Sequence, residues 1–256
     1  NEAFDISYQL QTSVPKLKLP TETKTAIFYS DYDRWALLDR PLHAAYRIYS
    51  ILGEHNGNWF RFVSKNTWQM DGIKLLYIPR MRFTDPELTA RIMEFVKNGG
   101  TAVIFDPDFM KFNIDGSSVP EREKLLGTDL IKKTVPGNSL IYGRNKLSLS
   151  KVKHAKSPEN ETLHAFDLAT LPAGAKVLAY YQDKKPALVE RSFGKGKVIC
   201  SAVMPFGSSE AALTPGGWKE FVRSQARAAG EKMNLDIWFF ALPETTGKAF
   251  RVKQLR

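Results

Sequence analysis

The chain has 256 residues, is 43% hydrophobic and carries a net charge of +10, so it can bury a real core as one large or two small domains. A basic balance points toward nucleic acid or anionic surfaces. However, its lysines and arginines are scattered, and no basic helix or reader motif argues for nucleic acid as a partner. A single cysteine, Cys200, excludes an internal disulfide framework and a multi-cysteine metal site. No apolar run reaches the ~18 residues of a membrane span.

Residues 1–24 alternate weakly and then pass through a Pro- and Lys-containing stretch, read as an entry strand or linker. The opening NEAFDISYQL lacks the basic start and apolar core of a signal peptide. A chain that begins without Met fits either a processed protein or a segment of a longer one. Residues 25–29 (TAIFY) form the first core strand, which ends in a polar and aromatic loop at 30–35. Pro41 opens a helix to about Leu52, with Leu42, Ala45, Tyr46, Tyr49 and Leu52 on one side. Residues 59–63 (WFRFV) and 74–78 are the next two strands.

The stretch KLLYIPRMRFTDPELTARIMEFVKNGGTAVIFDPD (74–108) reads as strand, loop, helix, strand. Thr84 and Glu87 have capping-box spacing, with Pro86 in the first turn. Leu88, Ile92, Phe95 and Val96 give the helix one apolar face, and Gly99-Gly100 can end it. A helix between two buried strands in so few residues requires a crossover and parallel pairing.

Beyond Lys111 the pattern weakens to a short helix at 121–126 and strands at 139–142 and 147–149, followed by a polar loop at 151–162. Three strands then follow at 177–181, 187–192 and 197–203, with hairpin turns at Asp183-Lys184 and Gly194-Lys195-Gly196. A helix at 217–229 carries Trp218, Phe221, Val222 and Ala226. Residues 236–242 (DIWFFAL) form a last strand, and 245–256 are a basic tail. The expected architecture is therefore α/β, a doubly wound, mainly parallel sheet with an added antiparallel hairpin region. Its expected domains are 1–24 as linker, 25–243 as a single domain and 244–256 as tail.

Such sheets bind ligands outside the carboxyl ends of their strands. The candidate groups are Asp31, Tyr32, Asp33, Arg34 and Trp35 after the first strand, Arg80 and Arg82 after the third, and Asp106 and Asp108 after the fourth. Aromatic rings beside carboxylates suit carbohydrate, and Tyr, Trp and Arg suit subunit contacts equally. Asp106 and Asp108 read either as a carboxylate pair for acid–base or metal chemistry or as turn residues. Arg80 and Arg82 read either as anion-binding groups or as their ion-pair partners. Gly194-Lys195-Gly196 lacks phosphate-loop spacing, and the histidines have no zinc-site spacing. No cofactor and no metal is expected.

Two segments resemble a known family. YIPRMRFTDPELTARIMEFVKNGGTAVIF (77–105) and AKVLAYYQDKKPALVERSFGKGKVICSAV (175–203), together about a quarter of the chain, are similar to the glutamine-amidotransferase-like domain of family 42 glycoside hydrolases, the β-galactosidase trimerisation domain. The resemblance implies an amidotransferase-like, flavodoxin-like fold and a carbohydrate-active multidomain setting. It also implies partners in self-association or in a glycosidase catalytic domain, with an extracytoplasmic location slightly favoured. In class I amidotransferases a catalytic cysteine follows a core strand. Here that position reads Asp106-Pro107-Asp108, and no histidine follows Cys200. The expectation is thus a non-catalytic assembly domain. The alternative is a small-ligand- or glycan-binding domain, or a hydrolase, using Asp106, Asp108, Arg80 and Asp31 in the strand-end crevice.

Overall fold

The computed structural model describes residues 23–37, 40–54, 60–127, 130–133, 139–148, 163–205 and 217–231. Its frame is a nine-stranded sheet in the order β2-β1-β3-β5-β13-β12-β11-β8-β9. The strands are β1 (Thr25–Phe28), β2 (Arg61–Val63), β3 (Leu75–Ile78), β5 (Thr101–Ile104), β8 (Ser139–Tyr142), β9 (Asn145–Ser148), β11 (Lys176–Tyr180), β12 (Pro186–Phe193) and β13 (Gly196–Ser201). From β2 to β13 every pairing is parallel, and from β13 to β9 every pairing is antiparallel. The chain is therefore an α/β protein with a mixed sheet, and its antiparallel half is wider than the expected hairpin. Two small ribbons stand outside it: β4 (Phe83–Thr84) with β6 (Phe112–Asn113), and β7 (Leu130–Lys133) with β10 (Leu163–Phe166). Neither ribbon was read from the sequence.

Alternation within the parallel strands explains why both faces are buried. Ile27, Tyr77, Val103 and Ile199 point to one side and Ala26, Leu76, Ala102 and Val198 to the other, as period-2 geometry requires. The first face is covered by α2 (Arg40–Tyr49), whose last turn widens to a π-helix at Ser50–Glu54, and by α5 (Trp218–Ala228). The second is covered by α3 (Pro86–Lys97) and α4 (Glu121–Leu126). Trp218, Phe221, Val222 and Ala226 are buried in the first core, as their spacing predicts.

Three expectations are corrected. Residues 31–35 are not a loop, because α1 spans Asp31–Leu37. Ser30 caps it: its hydroxyl oxygen accepts the Asp33 N–H at 3.1 Å, and the hydroxyl donates to Asp33 Oδ2 at 2.6 Å. This is an N-cap in which the acid returns to the Ser30 hydroxyl rather than to its backbone N–H, as a full capping box would. The second correction is the cap of α3, which is Asp85 rather than Thr84. Asp85 Oδ1 accepts the Leu88 N–H at 2.8 Å, while Thr84 is drawn into a hydroxyl pair with Thr89. The third concerns α2, which buries Ala44, Ala45, Ile48, Ile51 and Leu52 and leaves Leu42 and Tyr46 half-exposed. Ala44, Ala45 and Ile48 lie on the stripe that faces the sheet, and Leu42 and Tyr46 fall to the side of it.

The two family-like segments meet in space. β5 and β13 pair in parallel from Thr101–Lys197 to Ile104–Cys200, and the β12–β13 turn sits on the end of α3, where Lys97 O accepts the Lys195 N–H at 2.9 Å. Residues 1–22 of the expected 1–24 linker, the loop at 151–162, the strand at 236–242 and the basic tail lie outside the described residues.

Candidate functional site

The crossover after β1 runs over one face of the sheet and the crossover after β3 over the other. The crevice between their carboxyl ends is therefore where an α/β sheet ordinarily receives a ligand. Here the chain's own Asp33 fills it. Fully buried on α1, Asp33 accepts the Arg82 N–H at 2.8 Å through Oδ1 and the Phe83 N–H at 3.2 Å through Oδ2.

Asp106 does the same one strand further on. Its Oδ2 accepts the Met81 N–H and its Oδ1 the Asp108 N–H, each at 2.9 Å. Burial pushes its carboxyl up to about 6, while the nearby Arg80 charge offsets part of that rise. Arg80 is buried, with Nη1 3.5 Å from Met204 Sδ. Arg82 pairs with Asp108 at 2.5 Å, and Lys111 pairs with Asp108 at 3.1 Å. Burial works against the Asp108 charge, but these two cations hold its carboxyl below the usual range. Of the predicted groups, Asp33, Arg80, Arg82, Asp106 and Asp108 are thus gathered into one knot that ties three strand-end loops together. The Arg82–Asp108 pair matches the ion-pair reading of these residues.

Asp31 and Tyr32 stand apart from that knot. They line a small polar cleft of about 100 Å³ with Lys65, Asn66 and Leu88. At its mouth Asp85 Oδ2 accepts from the Tyr32 hydroxyl at 2.5 Å and from Lys65 Nζ at 2.6 Å, and Glu87 lies 3.3 Å from Lys65. Burial opposes the Asp85 charge, yet Lys65, Tyr32 and the Leu88 N–H hold its carboxyl below the usual range. The bond to Asp85 raises both the Tyr32 hydroxyl and the Lys65 ammonium. Both groups are therefore donors at neutral pH rather than bases.

Arg34 faces a different concavity, a groove of about 470 Å³ between α2 and the carboxyl ends of β1 and β2. Its walls are largely Leu42, Tyr46, Tyr49 and Phe62. Trp35, the last of the predicted residues, is 88% exposed on α1. Sequence reasoning missed Ser30, Lys65, Asp85 and the groove aromatics. The Ser30-x-x-Asp33 cap was a usable signal, whereas the groove depends on how α2 is rotated.

No protein-family model and no curated protein sequence matches the chain. Solved structures do. A catalytic mutant of Gan42B, a GH42 β-galactosidase from G. stearothermophilus, aligns with a TM-score of 0.62 at 18% identity, over 89% of this chain and 33% of that one. The β-galactosidase from Bacillus circulans sp. alkalophilus gives 0.61 at 18%, over 84% and 32%. The one from the psychrophilic Marinomonas ef1 gives 0.57 at 14%, over 95% and 34%. The likeness is one of fold. This chain spans about a third of the length of those proteins.

Past the end of β5 the chain reads Asp106-Pro107-Asp108, with no cysteine or serine there. Cys200 lies within β13, buried among Ile104, Val189 and Val198, and burial pushes its thiol up to about 12. Such a thiol stays protonated and packs as a small hydrophobe.

Proposed function

We propose that this chain is a non-catalytic assembly domain of a carbohydrate-active, glycoside-hydrolase-like multidomain protein. In this reading it is the counterpart of the β-galactosidase trimerisation domain, with an amidotransferase-like, flavodoxin-like doubly wound core, and residues 25–243 form one domain. The observation that carries the reading is the fold likeness, which takes in most of this chain but only about a third of each β-galactosidase. The order of the five parallel strands, β2-β1-β3-β5-β13, supports the flavodoxin-like assignment. The engagement of Asp33, Asp106 and Asp108 in loop-to-loop bonds supports a structural use of the strand ends.

Trp35 is the contact residue this reading singles out. A fully exposed tryptophan beside arginine is the composition of an interface anchor. The test is the solution mass of the chain by light scattering across protein concentration, with binding to a glycosidase catalytic barrel measured in parallel. A stable dimer or trimer, or barrel binding, that Trp35→Ser weakens is the expected result. A monomer at every concentration with no barrel affinity overturns it.

A further inference from the structure

We infer that the aromatic groove beside α2 is a binding site for a small amphipathic anion, a flat apolar body carrying a single carboxylate. It goes beyond the assembly reading and stands independently of it. The groove's volume, about 470 Å³, is that of a small-molecule site, and such sites are mostly apolar with a few placed polar groups. Its wall is a run of rings: Tyr46 and Tyr49 have centroids 5.7 Å apart, and Tyr49 and Phe62 6.1 Å apart. Tyr46 and Phe62 each leave about half of their surface open (48%). That much exposed ring surface in a concave setting favours a planar apolar partner.

One cationic group then sets the ligand's charge. Arg34 is the one charged residue of the lining, and among the described residues it has no carboxylate partner. A guanidinium is built for bidentate carboxylate binding. Tyr29 also lines the groove with its ring, while its hydroxyl is shielded from solvent and has no hydrogen-bond partner among the described residues. The Ser64 and Thr67 hydroxyls of the groove are already bonded to each other at 3.2 Å. A second copy of this chain, with the same +10 charge, brings no excess of carboxylate to meet Arg34.

Calorimetric titration of the whole chain at low salt with trans-cinnamate, an aromatic ring bearing one carboxylate, tests the site against its neutral isostere, cinnamyl alcohol. We expect one cinnamate per chain, bound at least about tenfold more tightly than the alcohol. Arg34→Gln should erase that difference and leave the alcohol unchanged. Tyr46→Ala should weaken both compounds. Arg34 and Tyr46 are open to solvent, so these two variants fold. No binding at millimolar concentration, equal affinity for acid and alcohol, or an unchanged Arg34→Gln variant overturns the inference. So does a dimer that Tyr46→Ala dissolves while cinnamate leaves it intact, because the groove is then covered by a second copy. Loss of assembly with cinnamate binding retained would sink the proposed function and leave this site standing.

Discussion

The Asp33 carboxylate and the Arg82 backbone N–H lie 2.8 Å apart, joining the helix after β1 to the loop after β3. Because Asp33 also accepts from the Phe83 N–H and the Ser30 hydroxyl, Asp33→Ala strands three donors in a buried place. Each unsatisfied donor costs about 1–3 kcal/mol, softened where water can enter. We expect a total loss near 3–5 kcal/mol in urea unfolding. Asp33→Asn, which keeps one acceptor oxygen, should lose less than half as much. A loss under about 1 kcal/mol for the alanine variant would mean that the strand-end loops hold without it.

Asp106 gives the pH dependence a sign. Its carboxyl is raised from 3.8 to about 6, so between those values the folded chain holds a proton that the unfolded chain has released. Stability from this group is therefore full below about pH 4 and falls as pH rises to about 6, by on the order of 3 kcal/mol. Asp106→Asn removes the titration while keeping one of the two acceptors for Met81 and Asp108. Urea midpoints from pH 4 to 7 should show the variant gaining on the wild-type chain as pH rises. Parallel profiles would place the Asp106 proton at its ordinary carboxylate pKa.

Asp85 carries the opposite sign. Its carboxyl is held below 3.8 despite burial, so its contribution is present above that pH and is lost as pH falls through the lowered value. The cap on α3 is the larger part, since Asp85 bonds the Leu88 N–H. Asp85→Ala should cost about 1–2 kcal/mol. Asp85→Asn should keep the cap and lose the attraction to Lys65, so its stability should be less sensitive to added salt than that of the wild-type chain. Thermal melts at low and moderate salt separate the two contributions. Equal losses from both substitutions would put the weight on the Lys65 pair.

The parallel half of the sheet was legible in the sequence because its inner strands β1, β3 and β5 are buried on both faces and read as short apolar runs. LLYI, TAVI and TAIF are bounded by Pro, Asp or Ser, and nothing in their composition competes. α1 was not legible as a helix because DYDRW is polar and aromatic without an apolar stripe. Its helix is set by the Ser30 cap and by Asp33 reaching Arg82, a contact that exists only once β1 and β3 lie side by side. The ribbons β4–β6 and β7–β10 depend on long-range pairing that no local period encodes. The candidate residues were read from the sequence as one strand-end group. Their division into a buried knot, a small polar cleft and an aromatic groove follows from the direction each side chain takes, which spacing alone does not specify.

Gly196 ties the two family-like segments together and supplies the last prediction. A Cβ at this position would lie 2.1 Å from Gly100 O and 2.3 Å from Val96 O, both backbone atoms at the junction of α3 and β5. Neither can retreat without pulling β13 from β5, where Lys197 N–H already bonds Gly100 O at 3.2 Å. Gly194 is constrained differently, by its positive φ of 62° in the β12–β13 turn and by the Lys97 backbone 2.7 Å from its would-be Cβ. Gly196→Ala should therefore destabilise the chain by about 2–3 kcal/mol, the cost of overpacking a closed junction. Lys195→Ala, between the two glycines with its side chain exposed, should change stability by less than about 0.5 kcal/mol. Urea unfolding of both variants reads the difference. If the glycine variant proved as mild as the lysine one, the G-x-G spacing would be turn chemistry alone, and the contact between α3 and β13 would be loose enough to absorb a methyl group.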